Sequence, residues 1–103
     1  MGLNRQRIFD EIARERERQT ELHPGTDDMP DGTGGSGRRT WETIARNACD
    51  RAAREGRCSF AHVLDEEASE VLAEEDPVKL RSELVQLAAV CVKWVEKLDR
   101  ERK

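Results

Sequence analysis

Acidic residues placed among apolar ones at helical spacing are the side chains of this sequence best suited to chemistry. Glu67 lies four residues after Val63 and four before Val71, so a helix would place it on the apolar face. Glu83 lies four residues before Leu87, in a second apolar pattern. Carboxylates on an apolar face destabilise a fold unless a cation neutralises them. The pattern therefore predicts that these carboxylates hold a cation.

A metal ion is the cation that the sequence predicts. Seven acidic residues lie from Asp65 to Asp76, whereas no Lys or Arg occurs between Arg57 and Lys79. Mg²⁺ prefers oxygen ligands and commonly combines a few carboxylates with water and substrate phosphate. The alternative is that the acidic run simply solvates a surface helix, which is the usual meaning of a run of charge. The inward positions of the two glutamates favour the metal site.

Four helices are predicted to carry these residues. Apolar residues recur at helical spacing over residues 3–21 and roughly 41–55, and two further helices follow Ser59. These last two are separated at Asp76-Pro77, because Asp is a good N-cap and Pro suits the first helical position. The fourth helix has an apolar arc too wide for one partner helix to cover. We therefore expect an all-α fold, an antiparallel helical bundle of about four helices that is completed by oligomerisation.

The chain is expected to form a single domain of three parts. These are an N-terminal helix over 1–22, a Gly/Pro-rich flexible loop over 23–39 and a helical core over 40–103, with Thr40 as the predicted N-cap of the second helix.

The glycines of this loop match the sequence pattern of a dinucleotide-binding motif but lack its structural context. Gly32, Gly34 and Gly37 satisfy GxGxxG, but that motif needs a preceding β-strand, and the sequence TDDMPD does not predict one. A dinucleotide-binding fold is therefore excluded. A flexible linker is one interpretation of the loop. A mobile loop that contacts phosphate is the other, because Arg38 and Arg39 stand at a predicted helix start, where backbone N–H groups attract anions.

Composition narrows the partners and the compartment. The formal net charge of −4 argues against nucleic acid or an anionic membrane as the main partner. No apolar run approaches the roughly 20 residues that a transmembrane helix needs, and the N-terminus lacks the apolar core of a signal peptide. The three cysteines, Cys49, Cys58 and Cys91, form no CxxC motif and are expected to be reduced. We therefore expect a cytoplasmic protein.

The acidic residues also resemble a known motif. Glu67-x-x-Glu70, twelve intervening residues and Glu83-x-x-Gln86 resemble the ExxE…ExxD signature of the MazG-like, all-α nucleoside triphosphate pyrophosphohydrolase superfamily. The upstream ERERQ run and the loop sequence PDGT are similar to a group of small MazG-like proteins from bacteria and phages. Gln86 stands where the family usually has Asp, so the last ligand would be a neutral carbonyl oxygen.

The resemblance implies a function and an assembly. The function is Mg²⁺-dependent hydrolysis of a nucleoside triphosphate to a monophosphate and pyrophosphate, and the assembly is a homodimer or a homotetramer. The implied metal ligands are Glu67, Glu70, Glu83 and Gln86. Glu66 would help to activate the attacking water, and three basic residues could contact the phosphates, namely Arg38, Arg39 and Lys79.

Two other functions remain open on the sequence. One is a MazG-like relative that binds nucleotide without hydrolysing it, which the neutral Gln86 would favour. The other is a helical oligomerisation or interaction protein, in which the acidic run is only a solvated surface.

Overall fold

Four α-helices make up the secondary structure of the computed structural model, which describes residues 2–102 and contains no β-strand within them. The helices are α1 (Gly2–Leu22), α2 (Ser36–Arg54), α3 (Phe60–Ala73) and α4 (Pro77–Glu101). The prediction of an all-α fold with about four helices is confirmed. Among the described helices, none combines the length and the apolar character that crossing a bilayer requires.

The chain divides into two compact units. The first comprises the residues up to Asp31 together with those from Val95 onward, and the second comprises Gly32–Trp94. Helix α4 contributes residues to both units, whereas α1 belongs to the first, and α2 and α3 belong to the second.

The first unit is built on α1, a strongly charged helix with a narrow apolar stripe. Ile8 is its buried residue, whereas Phe9 and Ile12 each leave 47% of their surface exposed. Arg5 donates a 2.9 Å hydrogen bond to Glu96 at the end of α4. Most of the remaining charges of α1 lie in solvent, where individual ion pairs contribute little stability.

The second unit is organised around the direct packing of α2 on α3. The buried residues of α2 are Ala45, Cys49 and Ala52, and those of α3 are Ser69 and Val71. Small side chains at a helix contact allow the two backbones to approach closely. Ala52 and Ser69 have no exposed surface at all, which indicates that this contact is tight.

Local capping fixes where α3 and α4 begin. Ser59 and His62 form a reciprocal capping box at the start of α3: the Ser59 hydroxyl accepts from the His62 N–H, and the Ser59 N–H donates to the His62 ring. At the start of α4, the Asp76 carboxylate accepts a 3.1 Å hydrogen bond from the backbone N–H of Val78. The predicted N-cap at Asp76 is confirmed, and α3 begins directly after Ser59, as the sequence indicated.

An aromatic pair joins α3 to α4 within the second unit. The rings of Phe60 and Trp94 stack with their centroids 5.5 Å apart and their planes 11° from parallel. Such a pair contributes on the order of 0.5–1.5 kcal/mol beyond the burial of its surface.

Helix α2 begins earlier than the sequence predicted. It starts at Ser36, with Gly35 at the N-cap and no side-chain cap, rather than after Thr40. The Thr40 hydroxyl instead donates a 2.9 Å hydrogen bond to the Ser36 carbonyl, one turn back in the same helix. A threonine hydroxyl can either cap a helix or bond to a carbonyl one turn back, and Thr40 does the latter. The prediction that Thr40 is the N-cap of α2 was therefore wrong.

Gly34 ties the end of the glycine-rich segment to α3. Its backbone N–H donates a 2.9 Å hydrogen bond to the carbonyl of Leu72, and its φ of 93° lies in the region that favours glycine. A Cβ at this position would overlap the side chain of Glu75. The chain that leads into α2 is therefore held at a defined place on the C-terminal end of α3.

Candidate metal centre

Carboxylates from α3 and α4 gather around Glu70 in the second unit. Burial raises the pKa of the Glu70 carboxyl above its ordinary value. The negative charges of Glu67, Glu66 and Glu83 raise that pKa further, in this order. Because each of these charges acts on Glu70 strongly enough to shift its titration, the four carboxylates form one electrostatic cluster.

Two further glutamates join the cluster at Glu83. Burial raises the pKa of the Glu83 carboxyl, and the charges of Glu74 and Glu42 raise it further. Glu74 also lies within hydrogen-bonding reach of Glu83, an interaction that raises the pKa again. Neighbouring carboxylates favour a state in which they share one proton or one cation. We call the six residues the acidic cluster, namely Glu42, Glu66, Glu67, Glu70, Glu74 and Glu83.

Two oxygen atoms of the acidic cluster are buried without a partner. They are the Oε2 atoms of Glu67 and Glu83, and neither forms a hydrogen bond within residues 2–102. Buried polar side-chain atoms in folded proteins nearly always have a hydrogen-bond partner, so each exception needs a physical cause. A proton or a bound cation would satisfy both oxygens.

The helices position the cluster by regular spacing. Glu67, Glu70 and Glu74 follow one another at intervals of three and four residues, so they lie along one side of α3 and its C-cap. The Glu74 carboxylate is held in the α3–α4 turn, because it accepts 3.1 Å hydrogen bonds from the backbone N–H groups of Glu75 and Asp76. Glu83 then approaches from the second turn of α4.

Arg46 is the basic residue whose charge reaches the cluster. It lies 3.1 Å from the Glu42 carboxylate, one helical turn earlier on α2, and its charge lowers the pKa of Glu70. The sequence placed Arg46 away from the apolar stripe of its helix and assigned it no role. Glu42 was not predicted as a member of the cluster either, because its position there depends on the packing of α2 on α3.

The three basic residues expected at the phosphates have other surroundings. Arg39 pairs with Glu75 at 3.6 Å, and both side chains are well exposed. Arg38 is half-buried in the first turn of α2, and Lys79 is exposed in the first turn of α4. Neither forms an ion pair with another described residue, so both are free to contact an anion.

Gln86 lies on an exposed part of α4. It lines an open groove together with residues of the same helix, namely Pro77, Val78, Arg81, Ser82 and Val85. No glutamate of the acidic cluster lines that groove. The assignment of Gln86 as a ligand stays a prediction.

The cluster has the type of ligand atom that Mg²⁺ prefers, but its side chains are not arranged in a complete coordination geometry. Its donors are carboxylate oxygens, its charge is negative, and two of its oxygens lack partners. Across residues 2–102, no three His, Cys, Asp or Glu side chains are arranged so that they could hold a metal ion. Side chains would have to rotate before several of them could hold one ion. Mg²⁺ is often bound by one or two carboxylates plus substrate phosphate, and such sites need no complete protein cage.

No family model, curated protein or solved structure matches this chain. The resemblance to the MazG-like superfamily therefore stays a prediction that rests on the acidic motif and on short similarities in the ERERQ run and the loop sequence PDGT.

Proposed function

We propose that this chain is a Mg²⁺-dependent nucleoside triphosphate pyrophosphohydrolase, which converts a nucleoside triphosphate into a monophosphate and pyrophosphate. The observation that carries the proposal is the pair of buried carboxylate oxygens on Glu67 and Glu83, which have no hydrogen-bond partner among the residues that the structure describes. They come from two helices and lie in a cluster of six carboxylates, which is an arrangement that a divalent cation would stabilise.

Glu67, Glu70 and Glu83 would hold the metal ion, with Gln86 as a further ligand through its carbonyl oxygen. When bound, Mg²⁺ supplies Lewis-acid polarisation of phosphate oxygens and increases the acidity of water. The raised pKa values of Glu70 and Glu83 fit this role, because they record an excess of negative charge that a cation would neutralise. Arg46 offsets part of that charge from α2.

Glu66 would accept the proton of the attacking water. It is half-buried, adjacent in sequence to Glu67, and close enough to Glu70 to raise the pKa of that residue. Hydrolysis breaks the anhydride bond between the α- and β-phosphates and releases one proton, for which a carboxylate is a suitable acceptor. Arg38, Arg39 and Lys79 would contact the phosphates, and Arg39 would exchange its exposed pairing with Glu75 for the ligand.

The enzyme would act as a homodimer or homotetramer. Val78 and Val85 of α4 leave 79% and 56% of their surface exposed, and Leu84 leaves 46%. Contiguous apolar surface on a small domain commonly marks a protein–protein interface. A second copy of α4 is the occupant that matches this apolar face, and light scattering of the purified protein tests the assembly. The odd number of cysteines and the absence of a CxxC motif support action in a reducing compartment such as the cytoplasm.

A panel of nucleoside triphosphates, assayed for pyrophosphate release with and without Mg²⁺, tests the activity. We expect release from at least one nucleotide, only with Mg²⁺, and its loss in Glu67→Gln. Asp65→Asn is the matched control, because it removes a charge from an exposed position of the same helix. If none of the nucleotides released pyrophosphate, the proposed activity would be refuted.

A helical interaction protein is the second candidate, and the exposed apolar face of α4 favours it. On that alternative, neither Mg²⁺ nor nucleotide would raise the melting temperature, while the oligomer would remain intact. A raised melting temperature without turnover would instead indicate a relative that binds nucleotide without hydrolysing it.

A further inference from the structure

Two cysteines of the second unit lie close together although no sequence motif joins them. The Sγ atoms of Cys49 and Cys58 are 3.9 Å apart. Cys49 is buried on α2, whereas Cys58 is exposed in the connection between α2 and α3. The sequence predicted reduced thiols without any pairing, because the number of cysteines is odd and no CxxC motif occurs.

We propose that Cys49 and Cys58 form a reversible disulfide when the protein meets a two-electron oxidant, namely a peroxide or a small-molecule disulfide such as oxidised glutathione. The bond would link α2 directly to the residue that precedes the N-cap of α3. The proposal is independent of the proposed hydrolase activity.

The backbone around Cys58 can accommodate the bond. A disulfide requires its sulfur atoms to move from 3.9 Å to roughly 2.05 Å. Cys58 lies in an irregular segment that follows Gly56, whose φ is 72°. Besides its contact with Cys49, its thiol forms a weak 4.0 Å contact with the carbonyl of Ser59. Cys49 is held in a helix, so Cys58 is the residue that would move.

The exposure of the two thiols sets the order of the chemistry. A peroxide reaches exposed Cys58 first: its sulfur attacks one oxygen, the O–O bond breaks, and the products are a sulfenic acid and water. The sulfur of Cys49 then attacks the Cys58 sulfur, the S–S bond forms, and the S–O bond breaks to release a second water. Two thiols and one hydrogen peroxide thus give one disulfide and two waters. With oxidised glutathione, Cys58 first forms a mixed disulfide and releases one glutathione, and attack by Cys49 then releases the second. A thiol reductant reverses the link.

Cys49 is suited to the second step rather than the first. Burial raises the pKa of the Cys49 thiol to about 11, and the hydrogen bond with Cys58 and the charge of Glu66 contribute to the increase. A thiol that is protonated at neutral pH reacts slowly with free oxidant. It can still attack a sulfenic acid held beside it, since proximity compensates for low intrinsic reactivity.

The disulfide would act on the part of the fold that carries the acidic cluster. Ser59, the N-cap of α3, directly follows Cys58, and Glu66 lies close enough to Cys49 to influence its titration. A covalent link at this point would restrict movement of α3 against α2. Oxidation would therefore stabilise the helix contact that brings Glu42 and Glu66 into one unit.

Intact-mass measurement after treatment of the full chain with oxidised glutathione or one equivalent of hydrogen peroxide tests the proposal. We expect a monomer lighter by two hydrogen atoms and a tryptic map that joins the Cys49 and Cys58 peptides. Cys91, which is exposed on α4, should remain free for alkylation. The link should raise the melting temperature by on the order of 10 °C, and dithiothreitol should reverse this increase.

Two variants separate the proposed link from other oxidation products. Cys91→Ser should form the link as the natural chain does, whereas Cys58→Ser, which changes an exposed side chain, should lose it while keeping the reduced melting temperature. A stable glutathione adduct on Cys58, a disulfide between two chains, or an unchanged mass in the Cys91→Ser variant would each overturn the proposal.

Discussion

Replacing Glu83 by Gln should stabilise the metal-free protein. The Oε2 atom of Glu83 is buried without a partner, and the neighbouring Glu74 and Glu42 carboxylates raise the pKa of the Glu83 carboxyl. An amide has nearly the same shape, carries no charge, and can donate a hydrogen bond to the Glu74 carboxylate. Substitutions of partly buried charges usually destabilise proteins, so an increase in stability would be informative.

The magnitude follows from the cost of a buried oxygen without a partner. Leaving such a group unsatisfied costs roughly 1–3 kcal/mol, and more when it is charged. Glu83 is only partly buried, so water screens part of its repulsion and the lower end of that range applies. We therefore expect the unfolding free energy to rise by about 1 kcal/mol, which corresponds to roughly 4–8 °C in a domain of this size.

The effect should depend on pH in a defined direction. The folded-state pKa values of Glu70 and Glu83 are raised, so the folded protein holds these protons more tightly than the unfolded chain does. The stability that they contribute is fully present below the ordinary glutamate pKa of roughly 4.3, and it is lost as the pH rises through the raised folded-state values. The advantage of Glu83→Gln should accordingly be small near pH 4 and reach its full size near pH 7.

Urea unfolding at several pH values, with and without Mg²⁺, measures these differences. Asp65→Asn is the matched control, because Asp65 is exposed on α3 and its replacement should change stability by less than about 0.5 kcal/mol. Millimolar Mg²⁺ should stabilise the natural chain near pH 7 and have a smaller effect on Glu83→Gln. A Glu83→Gln variant that is less stable than the control at pH 7 would refute the inference that the cluster carries uncompensated negative charge.

Four other substitutions test the site and the fold. Glu67→Gln should abolish Mg²⁺-dependent pyrophosphate release while raising the melting temperature, since the amide removes one negative charge from the acidic cluster. A folded variant that retains full activity would contradict the role of Glu67. Gly34→Ala should lower the unfolding free energy by about 1–3 kcal/mol through backbone strain, because the φ of Gly34 is 93° and an added Cβ would overlap Glu75. Gly37 lies in α2 with open space around its Cβ position, so Gly37→Ala should raise the unfolding free energy by roughly 0.5–1 kcal/mol. Ser59→Ala should lower the unfolding free energy by about 1 kcal/mol through loss of the α3 cap. Thermal unfolding measures this change, and an unchanged melting temperature would show that the capping box contributes nothing to stability.

Local sequence signals were sufficient to predict where two helices, α3 and α4, begin. Ser59 and Asp76 act as caps because their side chains bond to N–H groups two or three residues away, and those partners are set by sequence alone. Thr40 carries the same kind of side chain but bonds back into a helix that has already begun. Nothing in the neighbouring residues distinguishes these two uses of a hydroxyl, so the start of α2 required the structure.

Only those members of the candidate site that share a helix face could be predicted from the sequence. The spacing of Glu67 and Glu70 placed them together, and the apolar phase of Glu83 indicated that it points inward. Glu42 and Arg46 were missed because they join the cluster through the packing of α2 on α3, which no local pattern encodes. The proximity of Cys49 and Cys58 was missed because it depends on the path of the irregular connection between α2 and α3.

The tight contact between α2 and α3 gives this chain a way to adjust acidity by steric means. Ala52 and Ser69 are fully buried on helices that pack directly, so the size of their side chains limits how closely those helices approach. A larger side chain at Ala52 would move Arg46 on α2 away from Glu70 on α3 and weaken the attraction that lowers the pKa of Glu70. The proton affinity of the acidic cluster can therefore change during evolution or design through residues that carry no charge and never touch a ligand.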